Sequence, residues 1–244
     1  MQDRCRQQWE ALGGSDPYWA VLSHRKNKGG KWEKEAFFQT GVAEICDVLS
    51  RLSALGTKLR FGVALDFGCG VGRLSRALSS HFERVVGIDV SEAMLAEARA
   101  VNTQFSNIEF WHNIREDLAI VQSGSVDFLY GNLVLQHIPR RLQRLFIREF
   151  CRALSSGGVL VFQTPSRPNL ATARGWLYLL LGNRILNAGR RMIHGSSGVM
   201  ERHALGRIEV LEILRKEAML IVDVERYDSA GKGFISFRYY ATRI

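Results

Sequence analysis

The chain has 244 residues, 46% hydrophobic and 23% charged, an ordinary globular balance that suits one large domain with insertions better than two small ones. Four widely spaced cysteines, Cys5, Cys46, Cys69 and Cys151, make no CxxC pair and have no histidine cluster around them. That argues against a disulfide framework or a metal site and for a reducing compartment. The net charge of +9 permits contact with nucleic acid, anionic lipid or an acidic substrate and selects none of them.

The N-terminus is polar, with no apolar core of a secretory signal, and the longest apolar run, Trp176 to Leu181, falls far short of the ~20 residues of a membrane span. A cytoplasmic, soluble protein is expected. Residues 1–33 read as an irregular leader with one or two short helices. The remaining residues, 34–244, read as one domain carrying an insertion at about 165–206.

From Glu33 an apolar stripe of Phe38, Val42, Ile45, Leu49 and Leu52 has helical spacing and ends near Gly56. A strand is predicted at Phe61–Phe67, then a glycine turn and a helix from about Arg73 to His81. A second strand, Val85–Asp89, leads to Ser91, placed as the N-cap of a helix reaching about Val101. Strands follow at Ile108–Trp111 and Ser125–Gly131. Pro139 is placed to open a helix that reaches Leu154, and Val159–Gln163 is a fifth strand. This βαβ rhythm implies a doubly wound α/β fold whose parallel sheet is covered on both faces. The insertion breaks the rhythm with a short apolar helix around Trp176–Leu181 and a cationic stretch with Arg184, Arg190 and Arg191. A helix at Arg207–Glu217 and strands at Met219–Glu225 and Phe234–Thr242 close the chain. The Ser229–Gly233 turn between the last two strands predicts an antiparallel pair.

The segment Leu65-Asp66-Phe67-Gly68-Cys69-Gly70-Val71-Gly72-Arg73 carries the chemistry. Alternating glycines between a strand and a helix let backbone approach a ligand closely. A dinucleotide fingerprint would place its third glycine at position 73, where Arg73 stands. Asp66 would repel a pyrophosphate and favours a ligand with a cationic group. Asp89, at the end of the second strand, has the spacing of an acidic residue that grips ribose hydroxyls. Asp89 could instead cap the next helix, but Ser91 is available for that.

With Val-Gly-Ile-Asp-Val-Ser at 86–91 and Met94 and Ala98 beyond it, these motifs resemble the class I S-adenosylmethionine-dependent methyltransferases, nearest to the small-molecule group often labelled type 11. The resemblance runs from about Arg60 to Pro165 and more weakly through the last helix and strands. It implies a Rossmann-like seven-stranded sheet, mostly parallel with an antiparallel last strand. It also implies S-adenosylmethionine as cofactor, with Asp66, Gly68, Cys69 and Gly70 at its methionine end, Asp89 and Val90 at the ribose and Met94 near the adenine. Asn113 or Ile114 falls where such enzymes hold the adenine amino group, and an acidic residue is commoner there. Asn132 faces the methionine moiety.

Methyl transfer from a sulfonium needs the acceptor in line and water excluded, and a hydroxyl acceptor also needs a base. His137, in Val134-Leu135-Gln136-His137-Ile138-Pro139, is the leading candidate; packing against the cofactor is the alternative. His112, His194 and His203 are weaker candidates, and Tyr18 could reach an acceptor from the leader. Asp16-Pro17-Tyr18-Trp19 reads either as part of a lid over the pocket or as an apolar staple. The insertion reads as an acceptor-side element, either a buried cap or an amphipathic surface touching a membrane. The expected reaction is methylation of an O or N atom of a small, anionic or lipid-like acceptor. The rivals are an RNA or protein methyltransferase using the basic surface, a non-catalytic cofactor-binding protein and a nicotinamide enzyme. Nucleic acid is disfavoured, since Asn132-Leu133-Val134-Leu135 does not resemble the motif of base amino-group methylases. The sequence sets no oligomeric state.

Overall fold

The computed structural model describes residues 2–181, 202–228, 231 and 233–244, without the side chains of residues 2–4 and 25. Arg184, Arg190, Arg191 and His194 therefore lie outside the described residues. In chain order come α1 (Gln2–Ser15), α2 (Pro17–Val21), a 3-10 turn (Arg25–Asn27), α3 (Lys34–Ala54), β1 (Val63–Phe67), α4 (Arg73–Ser79), β2 (Arg84–Asp89), α5 (Glu92–Val101), β3 (Ile108–His112) and β4 (Val126–Gly131). A 3-10 turn (Leu135–His137) then leads to α6 (Arg140–Ala153) and β5 (Leu154–Pro168). A helix whose described part covers 173–181, here α7, precedes α8 (Arg207–Lys216), β6 (Met219–Arg226) and β7 (Phe234–Arg243).

The seven strands form one sheet in the order β3-β2-β1-β4-β5-β7-β6. Every pair from β3 to β5 is parallel, and β7 runs antiparallel to both β5 and β6. After β1 the chain goes to one side of the sheet through β2 and β3, then crosses back to β4. Strands β1 and β4 are therefore neighbours at the point where the winding reverses, and ligands settle at the carboxyl ends of strands there.

Alternation along the strands divides the core into two layers. Leu65, Phe67, Leu129 and Phe162 meet Phe146 and Phe150 of α6 on one face. Ala64, Phe128, Tyr130 and Val161 meet Ile45 and Leu52 of α3 and Leu78 of α4 on the other. Each of these large apolar side chains contributes roughly 2 kcal/mol on burial. Ser91 caps α5 as expected, accepting from the Met94 amide at 3.2 Å.

The leader differs most from its reading, being mostly helical rather than irregular. A 14-residue helix with two glycines is near the limit of stability in isolation, so tertiary contacts hold α1. Leu12, Tyr18 and Ala20 pack with Phe37, Phe38, Val71 and Met94. The Glu10 carboxylate accepts from the Ala93 amide at the N-terminus of α5, where the helix dipole favours an anion. The α3 stripe is also rotated. Its buried positions are Phe37, Phe38, Gly41, Ile45, Val48 and Leu52, while Val42 is exposed. Phe61 lies outside β1 and is exposed; Pro139 sits at the N-cap of α6, and Arg140 is its first helical residue. No helix among the described residues is long and apolar enough to cross a membrane.

Candidate active site

A cavity of about 420 Å³ opens at the carboxyl ends of β1, β2 and β4, within the size range of small-molecule sites. Gly68, Gly70, Asp89, Val90, Met94, Asn113 and Asn132 all line it, although they come from four separate stretches of chain. Gly68 and Gly70 have φ of 71° and 54°. A Cβ at Gly68 would overlap Val134, and one at Gly70 would press on Val21, so only glycine keeps this floor open.

Asp89 is anchored by backbone. Its Oδ2 accepts from the Gly70 amide and its Oδ1 from the Ser91 amide, both at 2.9 Å. Burial raises its pKa, and these amide bonds oppose the rise. Each carboxylate oxygen keeps a further lone pair, so a vicinal diol has two acceptors to meet. Asp66 lies deeper and outside the lining. Its Oδ2 accepts from the Ser75 hydroxyl at 2.7 Å, and its buried Oδ1 has no partner among the described residues. Burial pushes its pKa up to about 7, against the pull of Ser75 and Arg73.

The other expected cofactor residues divide. Cys69 is buried outside the lining, where a Cβ on Gly87 would sit 3.0 Å from its sulfur, and burial drives its thiol pKa up. Asn113 lines the cavity, but its amide is spent on the following turn, donating to Asp117 O at 2.7 Å and accepting from Arg115 N at 3.1 Å. Ile114 is 54% exposed and outside the lining.

Residues 64–158 match a family model described as a methyltransferase domain. Trans-aconitate 2-methyltransferase of Deinococcus radiodurans is 37% identical over 128 residues, 50% of this chain and 45% of that protein. Ubiquinone biosynthesis O-methyltransferase of Acinetobacter baylyi is 32% identical over 121 residues, 48% of each. The chain spans about half the length of the curated relatives it matches. Its fold is also that of the solved magnesium protoporphyrin IX methyltransferase from Synechocystis PCC 6803 with bound SAH, at TM-score 0.63 and 21% identity over 98% of both chains. Residues 64–158 thus carry the methyltransferase-domain match, and the chain has the fold of the class I S-adenosylmethionine-dependent methyltransferases.

In this methyltransferase domain the floor beneath Asn132 is a buried polar cluster. The Glu44 Oε1 accepts from Asn132 Nδ2 at 2.6 Å and from the Tyr130 hydroxyl at 2.8 Å. Its Oε2 accepts from Arg73 at 2.8 Å. Arg73 is only 3% exposed, so this pair neutralises a charge that could not otherwise stay in the core. The next residue, Leu133, has φ of 62°, a left-handed backbone at the cavity wall that costs a non-glycine residue of order 1–3 kcal/mol.

The rest of the lining comes from distant segments: Cys5, Arg6 and Trp9 of α1, residues 20–24, the turn at Gln136–His137, Leu142 and Phe146 of α6, and Arg174, Arg202 and Gly231. Of these, Val21 faces Gly70 and the Trp9 carbonyl accepts from the Ser91 hydroxyl at 3.4 Å, so they reach the glycine-turn end as well. The Trp9 ring meets the His137 ring edge-on at 5.1 Å. The Gln136 amide nitrogen lies 3.0 Å from His137 Nε2. In the tautomer with its proton on Nδ1, Nε2 accepts from that amide.

Other expectations fall elsewhere. Tyr18 is outside the lining; its hydroxyl donates to Glu97 at 2.6 Å and its ring packs on Phe37. His112 is on the surface, with Nε2 3.1 Å from Val90 O and Nδ1 3.5 Å from Glu92. The His203 amide donates to Gln136 O at 2.7 Å, and the residue is outside the lining.

Sequence reasoning missed Trp9, Arg6, Arg202 and Glu44. A signal existed for Glu44, since 37, 41, 44 and 48 share one helical face and three of the four are apolar or glycine. For Trp9 and the arginines no local pattern marks the partner, because that partner comes from remote chain.

Proposed function

We propose that the domain transfers the sulfonium methyl of S-adenosylmethionine to an oxygen or nitrogen of a small-molecule acceptor held at the Trp9–His137 end of the cavity. The observation that carries this is the charge division inside one cavity. Among the described lining residues Asp89 is the only carboxylate, at the glycine-turn end, where Arg115 also lines the wall beside Asn113; three further arginines, Arg6, Arg174 and Arg202, line the rest. The acidic end suits a cationic cofactor with a ribose diol, and the basic end suits an acceptor with an anionic group. The relative named for trans-aconitate points the same way. Leu142, Phe146 and Trp9 add an apolar wall that would suit a lipid-like body, and the relative named for ubiquinone biosynthesis favours that variant.

The residues fit the cofactor because the glycine cradle has no room for a Cβ and the Asp89 carboxylate is held by backbone donors. Gly68, Gly70, Asp89, Val90, Met94, Asn113 and Asn132 would hold it, with Asp66 and Cys69 supporting the turn from below and Ile114 at the rim. The bound cofactor supplies an already activated leaving group, so the protein's work is alignment and exclusion of water. Residues 1–33 act as the lid, through α1 and residues 20–24 rather than through Tyr18. His137 serves as base only if an acceptor hydroxyl displaces the Gln136 amide from Nε2; otherwise it positions the acceptor against Trp9.

Calorimetric titration tests the reading. S-adenosylmethionine should bind, NAD should not, and Asp89→Ala should abolish binding. A screen of small carboxylic acids, with methylated product followed by mass spectrometry, should then yield a substrate. Absence of cofactor binding by the unmodified chain would sink the proposal.

A further inference from the structure

The helix α7 presents its apolar residues outward. Gly175 and Tyr178, three positions apart, take the inner side, and the Tyr178 ring packs on Phe234 at 4.6 Å. Trp176, Leu177, Leu179, Leu180 and Leu181 all lie on the exposed remainder, Trp176 at 49% and Leu180 at 72%. Scattered exposed leucines are ordinary on a protein surface, but five within six consecutive residues form a patch.

A second, independent feature is charge. No Asp or Glu occurs between Glu149 and Glu201, although about one residue in ten of the chain is acidic. The same stretch carries Arg167, Arg174, Arg184, Arg190 and Arg191 and no lysine; its sixth arginine, Arg152, is taken up on α6 by Glu149 and the carbonyls of Leu118 and Val121. An apolar helical face within an acid-free, arginine-bearing segment has the composition of an interfacial helix: leucines and tryptophan enter the acyl boundary while guanidinium groups meet anionic headgroups. A nucleic acid would account for the arginines and leave the leucines in water. A second copy would set two cationic segments against each other.

We infer that the Trp176–Leu180 face of α7 docks on an anionic lipid bilayer. Arg174, on the same helix, lines the cavity, and its side-chain stem lies against Gly233, where a Cβ would come within 3.0 Å of it. Docking therefore brings the mouth of the cavity to the lipid–water boundary, where an amphipathic anionic acceptor collects. This deepens the methyl-transfer reading, yet the docking itself is measurable without any acceptor.

The test is co-sedimentation of the full chain with phosphatidylcholine vesicles, with and without phosphatidylglycerol, alongside the double variant Trp176→Glu/Leu180→Glu. The chain should pellet with the phosphatidylglycerol vesicles and hardly with phosphatidylcholine alone. The double variant should bind about tenfold more weakly or worse, because two apolar side chains no longer leave water. Its thermal midpoint should be unchanged, as expected at exposed positions. Four results would overturn docking: no pelleting with either vesicle, equal pelleting of the variant, tighter binding to a single-stranded oligonucleotide than to the vesicles, or a lower midpoint or smaller particle size for the variant, meaning that protein covers the face. Calorimetry with S-adenosylhomocysteine on the same preparation keeps the two proposals apart, since failure there counts against methyl transfer and leaves the vesicle result readable.

Discussion

The two ends of the cavity are built by different means. At the glycine-turn end the contacts come from backbone amides, glycines and a carboxylate, within two short stretches on adjacent parallel strands, Gly68–Gly72 and Asp89–Met94. At the other end they come from long side chains on α1, the 135–137 turn, α6, α7 and the loops around 202 and 231. Backbone geometry tolerates little variation, so the first end serves one ligand. Side chains from many elements can change one at a time, so in the proposed reading the second end is the one that sets the acceptor on a common frame. One cluster, Glu44–Arg73–Tyr130–Asn132, supports the wall at Asn132.

Breaking that cluster should have the largest effect. Glu44→Ala leaves the Arg73 charge buried and two donors unpaired, and should cost about 3–5 kcal/mol in a denaturant titration. Titrating Asp66 comes next. Its pKa in the folded chain, about 7, lies above the ordinary carboxylate value, so the native state favours the protonated form. The stability this lends is complete below about pH 4 and is lost as pH rises through about 7. Unfolding curves of the unmodified chain should therefore fall, by roughly a few kcal/mol, relative to Asp66→Asn across that window. Curves that stay parallel would refute the buried, protonated state.

Smaller effects should separate the ends. Gly68→Ala forces a Cβ onto Val134 at a left-handed position and should cost about 2–3 kcal/mol, with cofactor binding lost before fold. Asp89→Asn removes the charge and one of the two backbone acceptors, since its amide nitrogen cannot accept from Gly70 N or Ser91 N. It should weaken S-adenosylmethionine about ten- to thirtyfold by calorimetry, the value of charge-assisted hydrogen bonds. Trp9→Ala should act only at the far end, raising the acceptor KM about tenfold while the cofactor Kd stays within about twofold. A Trp9 variant that loses cofactor instead would show that the two ends are not separable.

This division also explains what was readable beforehand. The strand–turn–helix units, Gly68, Gly70, Asp89 and the Ser91 cap obey local rules of period, turn and spacing, so the residues alone locate them. The extent of α1, within a leader expected to hold only one or two short helices, was not legible because its polar residues and Gly13-Gly14 carry no stripe that survives without α5 beside it. Glu44 stands among apolar and glycine positions of one helical face, but its partners Arg73 and Tyr130 come from two other elements and leave no mark beside it in the chain. Asn113 lines the cavity with one amide N–H and one oxygen lone pair already engaged in the turn to Asp117, which the sequence does not reveal. Trp9, Arg6 and Arg202 depend wholly on tertiary approach.

The position of β7 carries a consequence for how the domain is made. It is the last strand of the sheet in the chain, yet it lies between β5 and β6 and pairs with β5 from Val159 to Pro168. During synthesis β5 must wait, one edge unpaired, until residues 234–243 emerge some seventy positions later. Throughout that interval the Val159–Phe162 run is an open template for pairing with another nascent chain. Truncation before Phe234 should therefore produce aggregates rather than a smaller domain, and chaperone dependence should end only when the final strand slides into place.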